Sequence, residues 1–244
     1  MTTAVLTAEL AGALAEDAEM LAALHDRELT RETLVALRES GYPANLGLLP
    51  SGEAMQEAWR LMALAVEEAS QTPLDDLAAD YAAIYLTGAY GASPCESVWT
   101  DDDHLACQAA MFALRQIYAE AGLAAADWRR RSDDHLVLQL LYLAHALRRS
   151  NHADAVRKLA KTMDEHLLRW LPDFAERVAG RCATPFYAVL QRLTFLWCER
   201  LRDLLAEGLC EARPTREEID VRLQPKRRTE AQPLSYMPGA APSW

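Results

Sequence analysis

Two short acidic runs are the first residues of this chain with the means for chemistry: Asp101-Asp102-Asp103-His104 and Asp133-Asp134-His135. Clustered carboxylates hold hard cations, and helical enzymes that act on diphosphates clamp magnesium between two such clusters. A simpler physical reason accounts for the same letters. Aspartates belong in the first turn of a helix, where they accept orphan N–H groups and face the positive end of the dipole. No DDxxD spacing occurs, and the paired Glu-x-x-His segments of a di-iron bundle have only Asp101-x-x-His104 as an approximation. A GxSxG elbow, a Walker loop and a Gly-rich dinucleotide fingerprint are also absent, so acyl, phosphoryl and hydride transfer have no support. The preferred reading has no catalytic residue, no metal and no cofactor. A magnesium-dependent helical enzyme using Asp101 to Asp103 with Asp133 and Asp134 is the alternative.

His135, directly after Asp134, stands at an expected helix start, where a cation opposes the dipole and a neutral imidazole is favoured. His166 and Trp170, four apart, are expected to pack as a pair on one helix face. A second feature is the stretch from Asp80 to Asp103, which carries Gly88, Gly91, Pro94 and Trp99 between two helical patterns. Loops held between rigid elements commonly carry function.

The elements that must position these residues are helices. In 244 residues, 51% hydrophobic with 10 glycines, alanine and leucine dominate and β-branched residues are sparse. The expected fold is all-α, a single domain of about eight to ten helices over residues 1–208, followed by a Pro-rich, extended or partly disordered tail over 209–244. A net charge of -11 argues against a nucleic-acid binder and suits a cationic partner. Five cysteines without a CxxC pair fit a reducing compartment. The N-terminus lacks a basic region ahead of its apolar residues, and no apolar run reaches the ~18 residues of a membrane span. A cytoplasmic location is the expectation.

Thr7 is expected to cap a first helix carrying Leu10, Leu14, Leu21 and Leu24, and Thr30 a short second one stopped by Gly41 and Pro43. A third helix runs from Ser51 with Met55, Trp59, Met62 and Val66 on one stripe. Thr72-Pro73 predicts a fourth start, Gly88 its end, and Asp101 to Asp103 the next start. Ser132 is expected to cap the following helix, Pro172 to halt the one after Asp154, and Thr184-Pro185 to open the last long helix, ending near Gly208.

Three segments in order resemble the TorD/DmsD/NarJ family of chaperones for molybdoenzymes. Asp80-Tyr81-Ala-Ala-Ile84-Tyr85-Leu86-Thr-Gly88 with Pro94-Cys-Glu96-Ser97-Val98-Trp99 is similar to the family's helix, glycine turn and Pro-x-x-Ser-Val-aromatic loop. Asp134-His135 with Gln139-Leu140 resembles its Asp-His-x-x-x-Glu-Leu segment, with Gln139 at the usual glutamate. His166-Leu-Leu-Arg-Trp170-Leu-Pro172-Asp-Phe174 resembles its His-Leu-x-x-Trp-x-Pro-x-Phe stretch. The resemblance implies a TorD-like helical bundle. It also implies a cytoplasmic chaperone that binds the twin-arginine leader or apo form of a molybdopterin enzyme subunit, assisting cofactor insertion and delaying export. Tyr81, Tyr85, Gly88, Pro94, Ser97, Val98, Trp99 and His135 are the expected leader-binding residues, with Glu96 and Asp134 facing the arginines. The long loop leaves both a monomer and a domain-swapped dimer open.

Overall fold

The computed structural model describes residues 6–127 and 129–224, and every regular element among them is helical. The chain divides after Arg213 into two units. The first contains α1 (Ala8–Asp26), α2 (Arg31–Glu39), α3 (Glu53–Gln71), α4 (Leu74–Tyr81), α5 (Ser97–Thr100), α6 (Ala109–Glu120), α7 (Leu136–Leu147), α8 (Ala153–Thr162), α9 (Leu168–Ala179) and α10 (Pro185–Leu209). Helix α1 packs most extensively on α7, and α10 on α9 and α3. The core lies among these five, with Leu14, Leu21, Met62, Leu140, Trp170, Phe174 and Trp197 fully enclosed.

The caps at Thr7 and Thr30 form as expected, each hydroxyl accepting an N–H three residues on. One acid interrupts the apolar stripe of α1. Asp17 is buried and accepts from Gly47 N at 2.7 Å, Leu48 N at 2.9 Å and Trp197 Nε1 at 3.0 Å. It fixes the α2–α3 connection to α1 and α10, a role that a buried charge fulfils only when its lone pairs are occupied.

Four boundaries differ from the sequence reading. Thr72 does not cap α4; its hydroxyl donates back to Glu68 O, closing α3, while Pro73 precedes the first helical residue. Asp101 to Asp103 do not begin a helix. The short α5 ends just before them, Asp101 Oδ1 accepts from Asp103 N, and His104 and Cys107 adopt left-handed backbone (φ 53° and 62°), so α6 starts only at Ala109. Aspartate competes for local N–H groups in this way, favouring turns over helix. The cap of α7 is His135, whose Nδ1 accepts from Val137 N, and not Ser132. Pro172 lies inside α9, shortly after a widened π turn.

Such π turns occur twice, at Ala82–Leu86 following α4 and at Met163–Leu167 between α8 and α9. Each inserts extra backbone, a distortion frequent at functional sites; the first forms the last turn of its helix, capped at Thr87, and the second leads directly into α9. Within the second, Asp164 forms a buried bidentate pair with Arg202 at 2.8 Å that ties this turn to α10. The second unit carries α11 (Arg216–Leu223), opened by a capping box in which Thr215 and Glu218 each bond the other's backbone N–H. Thus part of the stretch read as a tail is helical, and the remainder from 225 lies outside the described residues.

Candidate functional site

The loop after α4 and the run before α7 meet. Leu136 N donates to Pro94 O at 2.8 Å and Glu96 N to Asp134 O at 3.1 Å, an isolated antiparallel pairing of Cys95 with His135. Side chains beneath this pairing hold it. Asp134 is fully buried, and its carboxylate accepts from Ser97 N at 2.8 Å and from the Ser132 hydroxyl. The Ser97 hydroxyl accepts in turn from Gln108 N at 3.1 Å, fixing the start of α6.

Glu96 is 1% exposed. One of its oxygens lies 2.9 Å from His166 Nδ1, and the other accepts from Gln139 Nε2 at 3.2 Å, while the same amide nitrogen donates to Asp134 O at 3.0 Å. Burial pushes the Glu96 carboxyl above its ordinary range, and the bond from His166 offsets part of that rise. The expectation that Glu96 and Asp134 face arginines of a ligand is therefore corrected: both carboxylates are turned inward and occupied. His166, expected beside Trp170, takes Glu96 as its partner instead.

Over this frame lies a cleft of about 520 Å³, walled by Tyr81, Tyr85, Gly88, Pro94, Val98 and His135. The two tyrosine rings stand 4.7 Å apart, and Gly88 turns the chain with φ at 65°, a conformation that penalises any side chain. Tyr81 donates to Asp26 O at 2.7 Å. The Tyr85 hydroxyl enters a buried network. Thr194 donates to Leu190 O, so His25 Nε2 donates to Thr194 Oγ1 at 2.9 Å. His25 Nδ1 is then the acceptor for Tyr85 at 2.6 Å, and Gln191 Nε2 donates to the Tyr85 oxygen. Burial, with His135 nearby, holds His25 down at about 3, so it is neutral and the tyrosine is locked upright.

His135 is neutral as well. Burial, then the cation of Arg131, lowers it to about 4. Because Nδ1 accepts from Val137, the proton sits on Nε2, which makes the ring a neutral hydrogen-bond donor in the wall of the cleft.

Trp99 faces the other side of the loop. It lines a second, more polar cleft of about 730 Å³ with His104, Asp173 and Arg177, and Gly91 and Val98 border both clefts. Its indole N–H donates to Ser93 O at 2.8 Å, its ring meets Phe174 edge-on, and the Arg177 guanidinium lies 5.6 Å from the ring centre. Tyr81, Tyr85, Gly88, Pro94, Val98 and His135 thus share one cleft. Trp99 is across the ridge, and Glu96, Ser97 and Asp134 are underneath.

The two aspartate runs are not assembled into a metal centre. Asp133 is buried against Arg115, at 3.0 and 2.8 Å, and no group of three His, Cys, Asp or Glu placed to hold a metal occurs among the described residues.

A sequence profile described as the nitrate reductase delta subunit matches residues 50–176, more than half of the chain, including the lining of the aromatic cleft and the Glu96, Asp134, Gln139 and His166 frame beneath it. The chain belongs to that family, the TorD/DmsD/NarJ group. Similar proteins include the chaperone protein TorD of Vibrio cholerae serotype O1 (strain ATCC 39541), 29% identical over 144 residues, covering 56% of this chain and 65% of that protein. Those of Vibrio parahaemolyticus serotype O3:K6 and Vibrio atlanticus are 24% identical over 186 residues and 26% over 194, covering 72% and 73% of this chain and 84% and 88% of theirs. The match to the first of these spans just under two thirds of the relative's length. The family motifs therefore coincide with the loop, the frame beneath it and the cleft above.

Sequence reasoning missed His25, Gln191 and Thr194 under the cleft, and Arg130 and Arg131 at its edge. It also left unassigned Asp80, which opens the first motif. Buried, Asp80 accepts from Thr184 N and Oγ1, Ala183 N and Tyr90 OH, so it pins the start of α10 to the loop. Burial raises its carboxyl, and these bonds together outweigh that and hold it below its ordinary value. A histidine four residues after Leu21 in an apolar stripe was the one available signal for the hidden network.

Proposed function

We propose that this protein is a maturation chaperone, without turnover, for a molybdopterin-containing oxidoreductase subunit. It holds that subunit's twin-arginine leader, or its apo form, on the cytoplasmic side while cofactor is inserted and export waits. The observation carrying this reading is the pairing of the Pro94–Glu96 loop with Asp134–Leu136, which brings two family motifs together under one aromatic cleft. A leader is an arginine pair followed by an apolar segment. The cleft walls of Tyr81, Tyr85, Pro94 and Val98 suit the apolar part, and His135 offers it one donor for a backbone carbonyl.

A chaperone must release its client, so affinity of about 1 μM, about −8 kcal/mol, serves better than tighter binding. No helix among the described residues is long and apolar enough to cross a membrane. The test is co-purification from cells that express the chain at native level, followed by mass identification of the bound polypeptide. A molybdoenzyme subunit is the expected catch. Its absence, with the chain intact, would count against the proposal.

A further inference from the structure

The cleft has a charged lip of the opposite sign to the one expected for an arginine ligand. Arg130 and Arg131 line its mouth, and no carboxylate stands among its described lining residues. Arg131 is paired with Asp26, whose carboxylate also takes Arg27 Nε at 3.2 Å, so that positive charge is largely satisfied within the fold. Arg130 differs. It is exposed, and its guanidinium has no hydrogen-bond or ion-pair partner among the described residues. His135, deeper in the wall, adds a donor and no negative charge, being held neutral at any ordinary pH.

A peptide in this cleft therefore meets the apolar walls of Tyr81, Tyr85, Pro94 and Val98, a neutral donor and, at one end, a cation with no partner among the described residues. Like charge at the lip opposes binding, and a guanidinium with no partner among the described residues favours a carboxylate in bidentate geometry. We infer that Arg130 selects for an acidic group following the apolar segment of the bound peptide, and that the leader's own arginine pair lies away from this lip. This rests on the cleft being the peptide site. It assigns to Arg130 a specificity role that complements the apolar walls: the walls set which residues enter, and the arginine sets which end of the peptide lies at the mouth.

The experiment uses the full chain and two fluorescent peptides with the same Leu- and Ala-rich segment, one followed by Asp-Asp and the other by Lys-Lys. Fluorescence anisotropy on the unaltered protein should show the acidic peptide bound about tenfold or more tightly, with the preference shrinking as salt screens it. Arg130→Gln should remove most of the preference and Arg130→Glu reverse it. Both variants alter an exposed side chain, so circular dichroism should be unchanged. Equal affinity for the two peptides, or a preference that survives Arg130→Glu, overturns the inference and leaves the peptide cleft standing. If neither peptide binds, the cleft reading fails with it.

Discussion

Glu96 and His166 come from distant parts of the chain and meet in the interior, Oε1 to Nδ1 at 2.9 Å, with Gln139 on the carboxylate's other oxygen. This contact joins all three family segments: the loop, the start of α7 and the π turn before α9. It also explains a departure within the second segment, since the glutamine at 139 supplies the donor that a carboxylate at 96 requires.

Replacing Gln139 by the family's more usual glutamate should therefore be harmful here. It sets a second carboxylate against Glu96 and removes the amide that serves both Glu96 and Asp134 O. A buried pair of like charges and a lost donor cost about 2 kcal/mol or more. Urea denaturation of Gln139→Glu should show that loss, and the double variant Glu96→Gln with Gln139→Glu should recover at least half of it. No recovery in the double variant would separate the two positions energetically.

Stability should fall as pH drops below about 6.5. His25 and His135 titrate at about 3 and about 4 in the fold, against an ordinary 6.5. In that interval the unfolded chain binds protons that the folded chain refuses, so their contribution is intact above 6.5 and is lost progressively on acidification. For His135 the full loss is on the order of 3 kcal/mol. His135→Asn keeps an N-capping oxygen and does not titrate, so it should lessen the fall of the urea midpoint on acidification, leaving the share of His25. An unchanged slope would contradict the assignment of a buried neutral imidazole.

Glu96 acts in the opposite sense. Its carboxyl is raised in the fold, so the folded chain holds a proton that the unfolded chain releases, and stability declines as pH rises through that window. Glu96→Gln should lessen this decline in the weakly acidic range, read by the same denaturation series.

Magnesium separates the chaperone from the enzyme alternative. With Asp133 on Arg115 and Asp134 on Ser97, calorimetric titration should give no saturable heat attributable to these acids. Tight binding that disappears in Asp101→Asn and Asp133→Asn would restore the enzyme reading.

The all-α class, the caps at Thr7 and Thr30 and the apolar stripes were legible because helical periodicity and capping are local properties. The junction of Pro94 to Glu96 with Asp134 to Leu136 was anticipated only through the motifs, since a single bridge between two loops leaves no periodic trace. Orientation was the harder part. Whether Glu96 and Asp134 face solvent or core depends on partners such as His166 and Gln139, from other helices, and an acid in a loop reads the same either way. The π turns that set Tyr85 and His166 carry no sequence signal that distinguishes them from regular helix. Asp101 to Asp103 read as a helix start because aspartate favours both first turns and tight turns, and the left-handed His104 decided between them.

The cleft above this frame is the proposed seat of the leader. The most direct measurement is titration of a labelled twin-arginine leader peptide into the unaltered chain, Val98→Glu and Leu64→Glu. Val98 is a half-buried cleft wall, whereas Leu64 is an exposed residue of α3. Binding at about 1 μM is expected, weakened about tenfold or more by Val98→Glu and unaffected by Leu64→Glu. Equal affinity for all three, with helicity unchanged, would contradict it.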